Sequence, residues 1–150
     1  MTLLDAPAYD GRRARQLRNI GIAVAVVVVL GAIAAWWFWT WPEQHRVNQF
    51  MQTIEAGNLE KAYAMWYSDP QWQQHPEKYS AYGFDKFLDD WGPKGTYGKI
   101  TGHKILMAKS YGNGVIVGLE INGGKTPVFL RVNPKTKEIG FSPDELYIAP

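Results

Sequence analysis

Few side chains in this sequence have the types and spacing that local catalytic or metal-binding motifs require. The three histidines, His45, His75 and His103, are too far apart to form an HxxxH or HExxH motif, in which two histidines one helical turn apart share a metal ion. The chain has no cysteine, which excludes disulfides, thiolate metal sites and cysteine nucleophiles. The phosphate-binding motifs GxxxxGK(S/T) and GxGxxG and the hydrolase motif GxSxG are also missing. The sequence therefore predicts neither a metal ion nor a cofactor.

Aromatic side chains are concentrated between residues 66 and 91 and are the remaining candidates for a binding site. Ligand pockets are mostly apolar, with a few polar groups that orient the ligand. Packing in the core is the more common use of such rings, since large side chains supply much of the buried apolar area of a small domain. His75 lies between Trp72 and Pro76, where an exposed loop histidine is the simpler interpretation. The candidate ligand-binding residues are Trp66, Tyr67, Trp72, His75, Tyr79 and Trp91.

The charge distribution separates the first 42 residues from the rest of the 150-residue chain. Four arginines and two aspartates give the first 42 residues the whole formal charge of +2. From Glu43 onward, twelve Lys or Arg residues balance twelve Asp or Glu residues. A neutral domain lacks the basic surface that nucleic-acid binding requires, so we expect no nucleic-acid partner.

Residues 20–41 form a run of 22 residues without a charged side chain. As a helix rising about 1.5 Å per residue, this run is about 33 Å long and can cross a hydrocarbon core of about 30 Å. One alternative is a cleaved signal peptide, with Ala32, Ile33 and Ala34 as an A-x-A site, and another is a helix buried in a soluble protein. The run is longer than the apolar core of a signal peptide, about 7 to 15 residues, and a domain of about 110 residues cannot easily surround it. We therefore interpret residues 20–41 as a transmembrane helix that contacts the lipid bilayer.

The flanks of this helix predict its orientation. Arginines precede it and tryptophans crowd its far end, and basic residues favour the cytoplasmic side while indole rings favour the headgroup region. We expect a short basic cytoplasmic tail at residues 1–19 and an extracytoplasmic domain at residues 43–150, anchored in a membrane. Two small-xxx-small pairs, Gly21 with Ala25 and Gly31 with Ala35, would let a second copy or another membrane protein approach, although lipid exposure alone also explains them.

Three amphipathic helices are predicted after the apolar run, over residues 43–56, 58–68 and 83–91. Gly57 ends the first and Asn58 is the expected N-cap of the second, which gives a helical hairpin. Residues 69–80 contain two prolines and no apolar period, which predicts an extended loop.

The chain changes to a β pattern after residue 95. Strands are predicted within residues 97–111, 114–122 and 126–133, with a weaker one at 138–142, and the glycine-rich residues 91–98 are a turn. Hairpin turns with positive φ are expected at Asn113-Gly114 and Asn122-Gly123, and bends or bulges at Gly98, Gly102 and Gly118. The predicted fold class is α+β, with helices packed on a curved antiparallel sheet of three to four strands.

The pattern VxxFxxxIExGNLEKAYxMW, followed by a third helix and long antiparallel strands, resembles the cone-shaped nuclear-transport-factor-two-like superfamily over about residues 43–145. The whole chain also resembles bacterial single-pass inner-membrane proteins, which implies that the anchor lies in the bacterial inner membrane and that the domain is periplasmic. The first resemblance implies a cone-like fold and a tendency to pair sheet against sheet. It does not imply a reaction, because this fold carries isomerases, dehydratases, binding pockets and assembly modules.

Proton-transferring enzymes on this scaffold use an acidic base and a tyrosine donor, so the resemblance makes Asp85, Asp89, Asp90, Tyr79 and Tyr82 candidates. Asp89 and Asp90 lie opposite the apolar stripe of their helix, however, where a carboxylate is usually solvated. For this reason the sequence names no catalytic residue.

We therefore expect a membrane-anchored extracytoplasmic module that binds a protein partner or a small apolar ligand without catalysing a reaction. One alternative is a membrane-tethered proton-transfer or lyase-type enzyme that uses a cone pocket. The other is an accessory subunit of a membrane complex, with the anchor helix carrying the contact. An open cavity where a carboxylate and a tyrosine converge would favour the enzyme, and an interior filled by Trp and Phe would count against it.

Overall fold

The computed structural model describes residues 11–146. Residues 1–10 of the predicted cytoplasmic tail, and the last four residues of the predicted domain, lie outside the described part. The chain divides into two compact units, with the boundary between Trp39 and Thr40.

In its described part, the first unit is a single helix, α1 (Gly11–Phe38), which has no buried residue. The large apolar side chains between Ile20 and Ile33 are 50–68% exposed. Among the described residues, one helical stretch is long and apolar enough to cross a membrane, by length and composition, and it includes α1. A core helix of a soluble protein would bury such side chains, so the structure gives no support to that alternative.

The bounds of α1 differ from the predicted residues 20–41. Within the described residues the helix already includes residues 11–19, because the arginine-rich residues before the apolar run are good helix formers. It ends at Phe38, because Pro42 has no N–H to donate to the carbonyl of Phe38. Trp41 therefore belongs to the next helix, where Pro42 occupies the first turn, a position that tolerates proline.

The second unit begins with the helices α2 (Trp41–Glu55) and α3 (Leu59–Trp66). Gly57 separates them with φ +78°, a conformation that side chains with a Cβ rarely adopt. As predicted, Asn58 caps α3: its side-chain oxygen accepts a hydrogen bond from the Lys61 N–H at 3.2 Å.

The segment after α3 corrects the expectation of an extended loop at residues 69–80. It contains two 3₁₀ segments, Trp72–Gln74 and Pro76–Tyr82, with proline in the first turn of the second. Short 3₁₀ turns need no apolar period, which explains why periodicity did not predict them. The third predicted helix is present as α4 (Phe84–Trp91).

The strands β1 (His103–Tyr111), β2 (Gly114–Ile121), β3 (Val128–Val132) and β4 (Ile139–Phe141) form one antiparallel sheet in chain order. This open, four-stranded meander agrees with the predicted α+β class.

Two details of the sheet differ from the prediction. In the first hairpin the residue with positive φ is Gly112, at +59°, rather than Asn113-Gly114, whereas Asn122-Gly123 supplies the second turn as expected. The register shift lies in β1 between Ile105 and Met107, and Gly118 is the partner of Met107 across from it. Bends or bulges within a strand were expected at Gly98 and Gly102, but both residues lie before β1, because the strand pairing starts only at His103.

One face of the sheet packs against the helices. Helix α2 contacts β1, β2 and β3, and α3 contacts α2, α4 and β4. The core combines the apolar stripe of α2 with alternate residues of β2 and β3: Val47, Phe50, Met51, Ile54, Val115, Val117, Leu119, Ile121, Leu130 and Val132.

Candidate functional site

Four large aromatic side chains fill the space between the helices and the sheet. Phe50, Trp66, Phe87 and Trp91 are 0–4% exposed, and their ring centroids lie 5.2–6.4 Å apart. Most of these pairs are edge-to-face or tilted, which is a favourable arrangement for aromatic rings. The structure thus places two predicted ligand-binding residues, Trp66 and Trp91, inside the core.

The other four predicted ligand-binding residues lie on the segment that begins at the end of α3. Three of its groups meet at one carboxylate: Asp69 Oδ2 accepts hydrogen bonds from His75 Nε2 and from the Tyr79 hydroxyl, both at 2.6 Å. The second oxygen, Oδ1, accepts the backbone N–H of Gln71 at 2.9 Å. We call Asp69, His75 and Tyr79 the loop cluster.

Tyr67 and Trp72 fix the same segment against its neighbours. The Tyr67 ring stacks on Tyr79 with centroids 4.1 Å apart. The Trp72 ring contacts Tyr63 of α3 at 4.7 Å and Phe84 of α4 at 5.0 Å. Every predicted ligand-binding residue in the segment therefore already has an aromatic or polar partner in the chain itself.

The electrostatics of the loop cluster favour a structural role. The hydrogen bond from Tyr79, and then the one from His75, lower the pKa of Asp69 to about 2. The same bond to Asp69 raises the pKa of the Tyr79 hydroxyl. A carboxylate with such a low pKa is a weak base near neutral pH, because its ionised form is already stabilised. The loop cluster can therefore hold its segment of the chain in one conformation.

A carboxylate and a tyrosine also meet at the end of α4. The Tyr82 hydroxyl donates to Asp90 Oδ2 at 2.7 Å. Asp85 and Asp89 are exposed, but Asp90 is partly buried, which corrects the expectation that it is solvated. Burial raises the pKa of Tyr82, and the neighbouring Asp90 raises it further. Among the five acid-base candidates that the resemblance suggested, Tyr82 and Asp90 are thus one pair, and Tyr79 belongs to the loop cluster.

The surroundings of this pair are apolar. The Tyr82 ring packs on Trp66 at 5.5 Å and on Phe141 at 6.0 Å. Phe141 itself stacks on Trp91 at 5.9 Å with an interplanar angle of 9°. Aromatic rings therefore border Tyr82 on this side of the pair.

Sequence reasoning missed a buried histidine that joins α2 to β1. His103 Nδ1 lies 2.5 Å from Glu55 Oε1, and Nε2 lies 2.9 Å from Asn48 Oδ1. The His103 side chain is 7% exposed. The only signal in the sequence is that Asn48 and Glu55 are seven residues apart, which places them on one face of α2 two turns from each other. We call these three residues the His103 bridge.

A buried ion pair was missed as well. Glu43, in the first turn of α2, is 4% exposed, and Lys137 Nζ lies 2.7 Å from its Oε1. Lys137 stands in the connection between β3 and β4 with φ +61°. The two residues are 94 positions apart, and no local pattern links residues at that separation.

No group of three or more His, Asp or Glu side chains that could hold a metal ion occurs within residues 11–146. The polar contacts described above join elements of the second unit to one another.

No protein-family model matches this chain, and neither a curated protein nor a solved structure matches it at a significant level.

Proposed function

We propose that this protein is anchored in the bacterial inner membrane by α1, and that its second unit is an extracytoplasmic binding or assembly module without catalytic activity. The contrast between the two units carries this proposal. The apolar side chains of α1 between Ile20 and Ile33 are 50–68% exposed, whereas those of the second unit form a closed core. Exposed apolar area costs about 25 cal/mol per Å² in water, and acyl chains remove that cost.

The residues at the two ends of α1 support the proposed orientation. Four arginines lie in its first two turns, between residues 12 and 18, and Trp36 and Trp37 near its far end are 82% and 75% exposed. Basic residues are retained in the cytoplasm, and indole rings settle at the headgroups. This arrangement favours a cytoplasmic N-terminus.

The packed interior supports a non-catalytic role for the second unit. The rings of Phe50, Trp66, Phe87 and Trp91 are 0–4% exposed and pack on one another, as expected of an interior filled by aromatic side chains. Binding then takes place on the outer surface, which suits assembly with a partner. The resemblance to that superfamily is itself part of the proposal.

Single-cysteine labelling tests the topology, because the natural chain has no cysteine. We expect Gln73→Cys, at an exposed loop position, to react with a membrane-impermeant maleimide in intact spheroplasts, and Thr2→Cys to react only after lysis. The cysteine-free parent is the control. Labelling of Thr2→Cys, but not of Gln73→Cys, in intact spheroplasts would reverse the orientation.

Helix α1 also favours a role as an accessory subunit. A Cβ added at Gly21 or Gly31 would meet no atom of the described chain within 4 Å, so a second helix could approach there closely. Purification in a mild detergent tests this second candidate. A membrane protein that co-purifies with the parent, but not with a Gly21→Leu/Gly31→Leu variant, would support it.

The Tyr82–Asp90 pair keeps the tethered proton-transfer enzyme as a third candidate. Such an enzyme would exchange the α-proton of a carbonyl substrate with solvent, which NMR detects in D₂O. Exchange by the parent that disappears in Asp90→Asn, but persists in the exposed control Asp89→Asn, would favour the enzyme over the module.

A further inference from the structure

We propose that the groove between the exposed faces of α2 and α3 binds a phosphate group, carried by a small soluble molecule or by a lipid headgroup. The groove has a volume of about 460 Å³. This inference rests on the proposed function, because it gives the binding module a ligand class. The residues that matter in its lining are Arg46, Gln49, Gln52, Asn58, Lys61 and Met65.

The charge of the groove differs from that of the domain around it. Arg46 and Lys61 line it and no carboxylate does, although the chain from Glu43 onward has as many acidic as basic residues. The nearest acidic side chain on the C-terminal turn of α2, Glu55, is bonded to His103 instead. A concave surface lined by one sign of charge favours an oppositely charged ligand.

Within residues 11–146, the hydrogen-bond partners of Arg46 are neutral. Its Nη2 donates to the Met65 carbonyl and to Ser68 Oγ, both at 3.1 Å, and its Nε is buried with no acceptor among the described residues. Burial lowers the pKa of Arg46. A guanidinium without a carboxylate partner is destabilised by desolvation, so an anion in the groove would stabilise it.

The backbone of the groove is fixed by local bonds. Arg46, Gln49 and Thr53 follow one another at helical spacing on α2, and the Thr53 hydroxyl donates to the Gln49 carbonyl at 2.7 Å. On α3 the Asn58 side chain holds the Lys61 N–H, so Lys61 projects from the first turn of a capped helix. Two cations on two adjacent rigid helices suit an anionic group that both helices can contact.

The donor types favour phosphate among such groups. The Nη2 hydrogens of Arg46 are bonded within the chain and its Nε is buried, which leaves Nη1 to donate charge-assisted hydrogen bonds to a phosphate oxygen. The Lys61 ammonium adds a mobile point charge. Gln52, whose side chain is exposed, adds a neutral amide donor at the rim.

The test is calorimetric titration of the full chain, in micelles of a neutral detergent and at a fixed 150 mM NaCl (about 8 Å Debye length). One arm uses inorganic phosphate and the other glycerophosphoglycerol, the soluble headgroup of an anionic lipid. We expect saturable binding of at least one of them, with one molecule per chain. Tighter binding of inorganic phosphate would identify a free-phosphate ligand, and tighter binding of the second would identify a lipid headgroup.

Lys61→Gln should weaken this binding about tenfold, since a charge-assisted hydrogen bond is lost. Lys61 is exposed, so the variant should keep the thermal midpoint of the parent. Arg46→Lys keeps the charge but loses the Nη1 donors and should also bind more weakly. Lys109→Gln, at an exposed position of β1, is the matched control and should bind like the parent.

Absence of saturable binding in both arms would overturn the inference, as would equal binding by Lys61→Gln and the parent. Neither result would bear on the anchor, because cysteine labelling tests topology independently of the groove.

Discussion

Helices α1 and α2 follow each other in the chain, yet they treat their apolar side chains in opposite ways. None of the 28 residues of α1 is buried. In α2 the apolar residues Val47, Phe50, Met51 and Ile54 are buried by the sheet and by neighbouring helices. Helix α2 thus obtains its apolar surroundings from its own chain, whereas no described residue supplies them to α1.

The sequence of each helix already contains this difference. An apolar stripe with polar residues on the opposite face, as in α2, predicts a helix at the edge of a core. A helix that is apolar on all sides, as α1 is from Ile20 onward, has no polar face to present to water. We therefore expect that substitutions in α2 change the stability of the second unit and that equivalent substitutions in α1 do not.

A matched pair of valines should give the largest contrast. Val47 is 0% exposed and Val27 is 68% exposed. Val47→Ala should lower the free energy of unfolding of the second unit by about 2–3 kcal/mol, because it leaves a cavity in the core. Val27→Ala should change it by less than about 0.5 kcal/mol. Urea unfolding of the full chain in micelles, followed by near-UV circular dichroism, measures both, and equal losses would contradict the assignment of two environments.

The buried ion pair of α2 should give the next largest effect. Lys137→Met leaves the carboxylate of Glu43 buried without a cation and should cost about 2 kcal/mol, less than for a fully buried pair because the Lys137 side chain is 41% exposed. Lys135→Met, at an exposed position of the same connection, is the control and should be neutral. A similar loss in both variants in the same urea experiment would show that the connection, not the pair, is sensitive.

The His103 bridge should contribute less. His103→Leu removes two hydrogen bonds between α2 and β1 and should cost about 1–2 kcal/mol. Hydrogen exchange of the backbone amides of β1 should increase in this variant. His45→Leu, which changes an exposed histidine of α2, should leave that exchange unchanged, and faster exchange of β1 in both variants would argue against a specific bridge.

The smallest effect is expected from the loop cluster, and it depends on pH. In the folded chain the pKa of Asp69 is lowered from 3.8 to about 2, so its bonds stabilise the fold fully above about pH 4 and less as the pH falls towards 2. Tyr79→Phe removes the main cause of the shift. The difference in thermal midpoint between the parent and Tyr79→Phe should therefore shrink between pH 4 and pH 2.

If the difference in thermal midpoint stays constant between pH 4 and pH 2, the Tyr79 hydroxyl does not lower the pKa of Asp69. Tyr97→Phe serves as the control, since Tyr97 lies outside the loop cluster, and its difference from the parent should not follow the titration of Asp69.

Local patterns predicted most of the fold. The spacing of Val47, Phe50 and Ile54 predicted α2, and Asn58 predicted the start of α3, because periodicity and capping depend on residues close in sequence. The alternation in β2 and β3 predicted a meander with the correct pairing. The 3₁₀ segments and the true start of β1 were missed, since tertiary contacts rather than local pattern decide them.

The candidate site was predicted less well, for a related reason. The sequence identified Tyr67, Trp72, His75 and Tyr79, which the structure brings close to one another in one segment. It did not identify Asp69, whose carboxylate accepts hydrogen bonds from His75 and Tyr79. An aspartate before a proline in a loop has no local pattern that would predict these bonds. In the His103 bridge, His103 follows Glu55 by 48 positions and Asn48 by 55 positions. Contacts across such separations leave no recognisable pattern in a single sequence.

Alkaline carbonate extraction of cell membranes, combined with the mass of the intact polypeptide, tests most directly whether lipid surrounds α1. We expect the full-length chain, with its N-terminal residues present, to remain in the membrane pellet at pH 11 and to leave it only when detergent is added. A chain that is released by carbonate alone, or whose mass places its first residue near Ala35, would contradict this expectation.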